Sequence, residues 1–230
     1  KTMLTATGGF LHPQPDIISE VVRRVRESGF QMAIHAVEAE AVEASADALL
    51  QARTQKNLVM PHVVGTRDRI EHCSECTPMA LERLSLAGSI VVTQPAFLYY
   101  SGRRYLSETN PRARHLLYRI KSFADSNLMP AFGSDAPVID PDPLVGIYAA
   151  VSRKSDGGTT LGQDEGVSSM NALRMYTSGG AYAAFQEREK GSLTMGKVAD
   201  MVLLSEDPTA VDSEQLRDIK ATMTIIGGQV

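Results

Sequence analysis

Short apolar runs alternate with longer amphipathic stretches along most of the chain. Thr2–Thr5, Gln31–His35, Arg69–His72, Ser89–Gln94 and Leu128–Phe132 have the length and the β-branched or apolar content of buried strands. Between them, apolar positions recur at helical spacing. Ile17, Val21, Val22 and Val25 follow Asp16, a residue type that caps helix starts, and the pattern stops at Gly29. The Ala-rich stretch from about Glu38 to Arg53 has high helix propensity. Pro78 suits the first turn of a helix that Gly88 ends, and a further helix is expected over roughly Arg112–Ser126. This alternation predicts successive βα units and a parallel sheet.

Other tracts break the rhythm. A loop carries Pro61 and Gly65, and Phe97–Pro111 mixes aromatics and arginines with no clear period, so a long loop is expected there. Long loops in compact domains are usually functional. After Gly133 comes a turn-rich segment, then helices at about Leu144–Arg153, Ser168–Tyr176 and Gly180–Phe185. Met201–Leu204 and Thr222–Ile226 are short β runs of another kind. No Gly-x-Gly-x-x-Gly follows any strand, which disfavours a dinucleotide-binding sheet. Five βα strands are too few to close an eight-stranded barrel. The expected fold class is α/β, the back half of a (β/α)8 TIM barrel.

Composition narrows the function classes. The 230 residues carry a formal charge of −4 and are 43% hydrophobic, which is ordinary globular usage. Mild acidity without a basic cluster argues against nucleic acid as a partner. No window approaches 18 uninterrupted apolar residues, so no membrane partner is expected. Two cysteines cannot staple a chain of this size. The chain opens Lys-Thr-Met-Leu-Thr, without initiator Met or signal peptide. A native start upstream is expected, and cytoplasmic localisation is the default.

Barrel active sites form at the C-terminal ends of strands. Lys1, His35, His72 and Asp135 stand at or near such ends. Imidazole and carboxylate are the ligands a zinc-like ion takes. Each residue alone also has a plain reading: a hydrogen-bonded histidine, or an aspartate that forms a turn. Three of them at separate strand ends are harder to dismiss. Cys73-Ser74-Glu75-Cys76 is a lone Cys-x-x-Cys, read as a pair of buried thiols rather than a redox or zinc motif. Tyr99, Tyr100, Arg103, Arg104 and Tyr105 either line a substrate pocket or pack in an exposed loop. His12, beside Pro13 and past a strand end, either reaches the pocket or is a plain loop residue, the second being the preferred reading. Arg153 either binds a substrate carboxylate or caps a helix C-terminus.

Several motifs, in order, resemble one family. They are Ile34-His35-Ala36, Arg69-Ile70-Glu71-His72-Cys73, Val92-Thr93-Gln94-Pro95 and Phe132-Gly133-Ser134-Asp135-Ala136-Pro137-Val138. With Asp142-Pro143-Leu144 and Gly191-Ser192-Leu193-Thr194-Met195-Gly196-Lys197, they resemble the amidohydrolase superfamily, and within it amidohydrolase family 3, the YtcJ-like and N-substituted formamide deformylase-like branch. The resemblance implies that residues 1–190 are about strands 4–8 of a metal-dependent hydrolase barrel and that residues 191–230 are strands of a small β-sandwich. It implies His35, His72 and Asp135 as metal ligands, with Asp135 also the proton shuttle and His72 catalytic. Lys1 matches a lysine that is carboxylated in binuclear members and bridges two ions. The family's first-strand His-x-His pair has no counterpart here, since the remaining histidines are His12, His62 and His115. Where the branch shows Gly-Asp after its fifth-strand His-Ala-x, this chain has Glu38-Ala39-Glu40.

The resemblance implies hydrolysis of a non-peptide C–N bond in an amide, formamide or carbamate-like small molecule. The implied cofactor is one or two divalent metal ions, Zn2+ first, with Tyr99, Arg103 and Arg153 as candidate substrate contacts. Two other readings stay open. One is a metal-free lyase or isomerase using Lys1 as a Schiff-base amine. The other is a non-catalytic fragment that self-associates, because unpaired sheet edges and an apolar half-core must be covered. A homo-oligomer is expected.

Overall fold

The computed structural model describes residues 11–54, 66–126 and 128–230. Lys1, the strand expected at Thr2–Thr5, and the loop with Pro61, His62 and Gly65 lie outside the described residues. The chain divides into two compact units, residues 1–93 with 104–130 and residues 94–103 with 131–230.

The first unit contains three parallel strands, β1 (Ala33–Ala36), β2 (Arg69–His72) and β3 (Ile90–Thr93). Ala36 pairs with His72 and Arg69 with Ile90, so the ends of β1 and β2 are level. Helices α1 (Pro15–Glu27), α2 (Ala39–Thr54) and α3 (Pro78–Ala87) connect and flank these strands. Val22, Val42, Ala46, Leu49, Ile70, Leu84, Val91 and Phe123 are fully buried in one cluster. Each leucine removed from water there contributes about 2 kcal/mol. The small residues Ala46, Ala48 and Ala52 form much of the buried face of α2.

Local chemistry explains most boundaries. Thr77 caps α3, accepting the Ala80 N–H at 3.2 Å, and Gly88 ends it with φ 64°. A side chain at Gly88 would adopt the left-handed conformation at a cost. The start of α1 differs from expectation. Gln14 is its N-cap, with Pro15 in the first turn, so Asp16 sits inside the helix, where its charge favours the N-terminal dipole.

Two tracts depart further from the sequence reading. Phe97–Pro111 is no loop: α4 spans Ala96–Glu108. Its buried stripe is Leu98, Gly102, Tyr105 and Thr109, a helical spacing hidden by a glycine and a threonine among exposed arginines. Gly102 is required there, because a Cβ would stand 2.6 Å from the Ser155 Cβ. Conversely, Arg112–Ser126 is not one helix. A 3-10 turn covers Pro111–Leu116, Leu117 bridges to Glu75, Tyr118 turns left-handed at φ 47°, and only Ile120–Asp125 is helical (α5). Pairing with residues 74–76 overrides the local helix propensity.

In the second unit, the strand expected over Leu128–Phe132 shortens to β4 (Ala131–Phe132). Met129 has φ 47° and Pro130 lacks an N–H, so neither extends the ladder. Helix α6 (Pro143–Ser152) starts at Asp142, whose carboxylate accepts the Leu144 N–H. Ser168 caps α7 (Ser169–Arg174), which runs through a π turn at Met175–Gly179 into α8 (Gly180–Ala183). Strands β5 (Met201–Leu204) and β6 (Ala221–Ile225) pair antiparallel with a bulge at Leu203/Leu204. No helix of the described residues is long and apolar enough to cross a membrane.

Candidate active site

His35 lies on β1 and His72 closes β2. The register pairs His72 with Ala36 rather than with His35, yet the two imidazoles meet with ring centroids 4.5 Å apart and planes at 77°. His35 is exposed and His72 half-buried, so the pair faces solvent on one side. The backbone turns sharply behind it: His72 has φ 70° and Cys73 φ 49°. Two successive non-glycine residues in this region cost about 1–3 kcal/mol each and persist only when their surroundings hold them. Part of that hold is the Cys73 N–H, shared between the Ala36 carbonyl at 2.9 Å and the Glu71 carbonyl at 3.0 Å. Glu71 is tied to Arg69 at 2.9 Å.

Beside His35 is a cavity of about 550 Å³ whose lining includes His12, His35, Glu38 and Ser45 among apolar side chains such as Leu11 and Met32. His12 is in a loop, and it lines the same cavity as His35. The available signal was its position after Gly8-Gly9, where a strand end was expected.

Cys73 and Cys76 are free thiols, both fully buried. Burial pushes the Cys73 thiol well above its ordinary value, which keeps it protonated and a poor nucleophile.

In the second unit, Asp135 follows β4 after two residues and is half-buried. Like His72 it has a left-handed backbone, φ 60°, and its carbonyl accepts the Val138 N–H at 2.9 Å. Tyr99 meets Tyr100 and Tyr148 edge-on, at 5.1 and 5.8 Å between centroids. The Arg103 guanidinium grips Asp156 with two bonds of 2.8 and 3.0 Å on the surface. That bond holds the Asp156 carboxyl below its usual range.

The Arg153 guanidinium bonds the loop beyond α6 rather than that helix's last carbonyls. Arg153 is the left-handed C-cap of α6, 1% exposed, and its Nε donates to the Leu161 carbonyl at 2.9 Å and the Gly162 carbonyl at 3.1 Å. A guanidinium enclosed this way pins a loop and is not offered to a substrate carboxylate. Among the described residues, no group of three or more His, Cys, Asp or Glu is placed to hold a metal ion. The described site is a pair of imidazoles, and Lys1 lies outside the described residues.

Residues 2–230 match the sequence profile of the amidohydrolase family. The chain belongs to that family. YtcJ of Bacillus subtilis, named as an amidohydrolase, is 28% identical over 98% of this chain and 42% of its own length. The N-substituted formamide deformylase of Arthrobacter pascens is 27% identical over 92% of this chain and 38% of its own. This amidohydrolase chain thus spans about two fifths of the length of these relatives. Its fold is similar to that of an uncharacterized metal-dependent hydrolase from Pyrococcus horikoshii, with a TM-score of 0.76 and 25% identity over 91% of this chain and 41% of that one. The α/β fold with a parallel sheet is therefore part of an amidohydrolase barrel.

Proposed function

We propose that this chain is part of a metal-dependent hydrolase that cleaves a non-peptide C–N bond in a small amide, formamide or carbamate-like molecule. The observation that carries the proposal is the His35–His72 pair, two imidazoles 4.5 Å apart at adjacent strand ends of an amidohydrolase fold. Two neutral imidazoles at parallel strand ends fit a divalent ion as two of its ligands, with Zn2+ the best match to that donor set. Lys1, in its carboxylated form, and Asp135 are the proposed further ligands. When bound, such an ion supplies a Lewis acid that polarises the carbonyl and brings the pKa of a water toward ~7.

The chain's own residues account for binding and proton movement. Asp135 accepts the proton of the attacking water and returns it to the leaving nitrogen, so one carboxylate serves both halves of the reaction. Its left-handed backbone and the bond from the Val138 N–H to its carbonyl define the turn from which the carboxylate extends. The His72 N–H orients toward the oxygen on which negative charge develops if the ring is not ligated. Tyr99 and Arg103 are the proposed substrate contacts, with the guanidinium leaving Asp156 for an anionic substrate group.

The test has two parts. Zn2+ titration of the purified chain against a chromophoric chelator should show uptake that His35→Ala and His72→Ala each abolish while far-UV circular dichroism is unchanged. Equal uptake by both variants overturns the ligand assignment. Release of amine from a panel of N-substituted formamides and amides is then followed in the zinc-loaded protein. Asp135→Asn should lower the rate per bound zinc by about 10²–10⁴-fold. A rate near that of the unaltered protein removes Asp135 from proton transfer, and no hydrolysis of any C–N substrate by the unaltered protein overturns the reaction class.

A further inference from the structure

Glu75 is a carboxylate with no solvent exposure, in a turn that follows a candidate catalytic histidine. Burying an ionisable group is costly unless the surroundings compensate it. The bonds around it offset part of that cost. The turn after β1 and the turn after β2 are joined by three bonds in succession. The Cys73 N–H donates to the Ala36 carbonyl at 2.9 Å, and the Glu75 N–H donates to the Val37 carbonyl at 2.9 Å. The third bond is the only one of the three made by a side chain: Glu75 Oε2 accepts the Ala39 N–H at 3.1 Å. Ala39 opens the 16-residue helix α2, so the carboxylate also meets the positive end of that helix.

The other flank of the turn is fastened as well. Glu75 bridges antiparallel to Leu117, the Cys76 N–H donates to the Leu116 carbonyl at 3.1 Å, and the Tyr118 N–H donates to the Ser74 carbonyl at 2.9 Å. Residues 73–76 are therefore held between residues 36–39 on one side and 116–118 on the other. His35 and His72 each stand immediately before a clamped turn. The left-handed backbone at His72 and Cys73 makes this clamp necessary, since such residues relax when their surroundings loosen.

We infer that Glu75 is a positioning residue: its carboxylate, through the Ala39 N–H, sets the separation of the His35 and His72 imidazoles. The bond ties the β2 turn to the start of α2 and so to the turn leaving β1. A site that needs two ring nitrogens on one target depends on such a second layer of bonds, because small displacements of a reacting group cost rate steeply. The significance of the inference rests on the proposed function of the histidine pair, but its test does not.

The test reads the ring contact itself, in the metal-free chain, as the nuclear Overhauser cross-peak between the His35 and His72 ring protons. Glu75→Gln keeps an oxygen acceptor for the Ala39 N–H and should retain the cross-peak. Glu75→Leu removes the acceptor at similar volume and should lose it, with far-UV circular dichroism unchanged. Ala39→Pro is the second variant, for the case that Glu75→Leu does not fold. Proline is accepted at a first helical position, so α2 survives while the N–H is gone. Loss of the cross-peak in a folded Glu75→Leu or Ala39→Pro chain supports the inference. Retention in Ala39→Pro and in any folded Glu75→Leu chain, or loss in Glu75→Gln, overturns it. Zinc uptake and hydrolysis are not read, so an intact ring contact without metal binding would count against the proposed function alone.

Discussion

Arg26 and Asp68 form a buried ion pair, Nε to Oδ2 at 2.6 Å, with side chains 8% and 1% exposed. The pair joins the last turn of α1 to the residue before β2. Asp68 Oδ1 also accepts the Met32 N–H at 2.9 Å, and its carbonyl accepts the Ile90 N–H. One residue thus aligns the starts of all three strands of the first unit. Removing one partner of a buried pair strands the other charge, which costs about 3–5 kcal/mol. Asp68→Ala should lower stability by that amount in urea unfolding. A midpoint shift worth under about 1 kcal/mol would show that the pair does not organise the sheet.

Arg153 is expected to be a stability residue. Arg153→Met leaves the Leu161 and Gly162 carbonyls without its Nε donor and keeps a side chain at a left-handed position. Unsatisfied buried groups cost about 1–3 kcal/mol. Thermal denaturation should show a melting point several degrees lower. A variant that melts with the unaltered chain would return Arg153 to the list of substrate contacts.

High pH should unfold the chain through its buried tyrosines. Burial pushes the Tyr118 hydroxyl well above its ordinary value, and burial with the Asp142 charge does the same to Tyr176. Tyr118 is further enclosed by Tyr105, hydroxyl to hydroxyl at 2.9 Å. A raised folded value means that the folded state holds the proton more tightly than the unfolded chain does. The stabilisation is therefore complete below about pH 10, the ordinary tyrosine value, and is lost as pH rises from there through the folded values. Tyrosinate absorbance at high pH should show a late step coincident with loss of circular dichroism. Smooth titration of all seven tyrosines near the ordinary value, in a chain that remains folded, would contradict the burial of Tyr118 and Tyr176.

The tract from Phe97 to Pro111 shows why some of the architecture escaped a linear reading. Its helical stripe runs through Gly102 and Thr109, residues that suggest a loop until their neighbours are known. Tyr118 shows the reverse. Its surroundings in sequence favour a helix, and only the bond from its N–H to the Ser74 carbonyl, across more than forty residues, explains its left-handed turn. The same separation hides Glu75. As the third residue of a Cys-x-x-Cys stretch it looks like a solvated carboxylate, and its burial follows from segments far away in the chain.

Most of the strand and helix alternation, apart from α4 and the break at Tyr118, and the standing of His35, His72 and Asp135 at or just past strand ends, were legible from the sequence alone. Hydrophobic period, proline and glycine act within a few residues, so a linear pattern carries their consequences. The meeting of His35 with His72, the enclosure of Arg153 and the link from Glu75 to Ala39 were decided by the tertiary structure. Each depends on the register between segments that only folding brings side by side, and that register is set by the packing of the whole core rather than by the neighbours of any one residue.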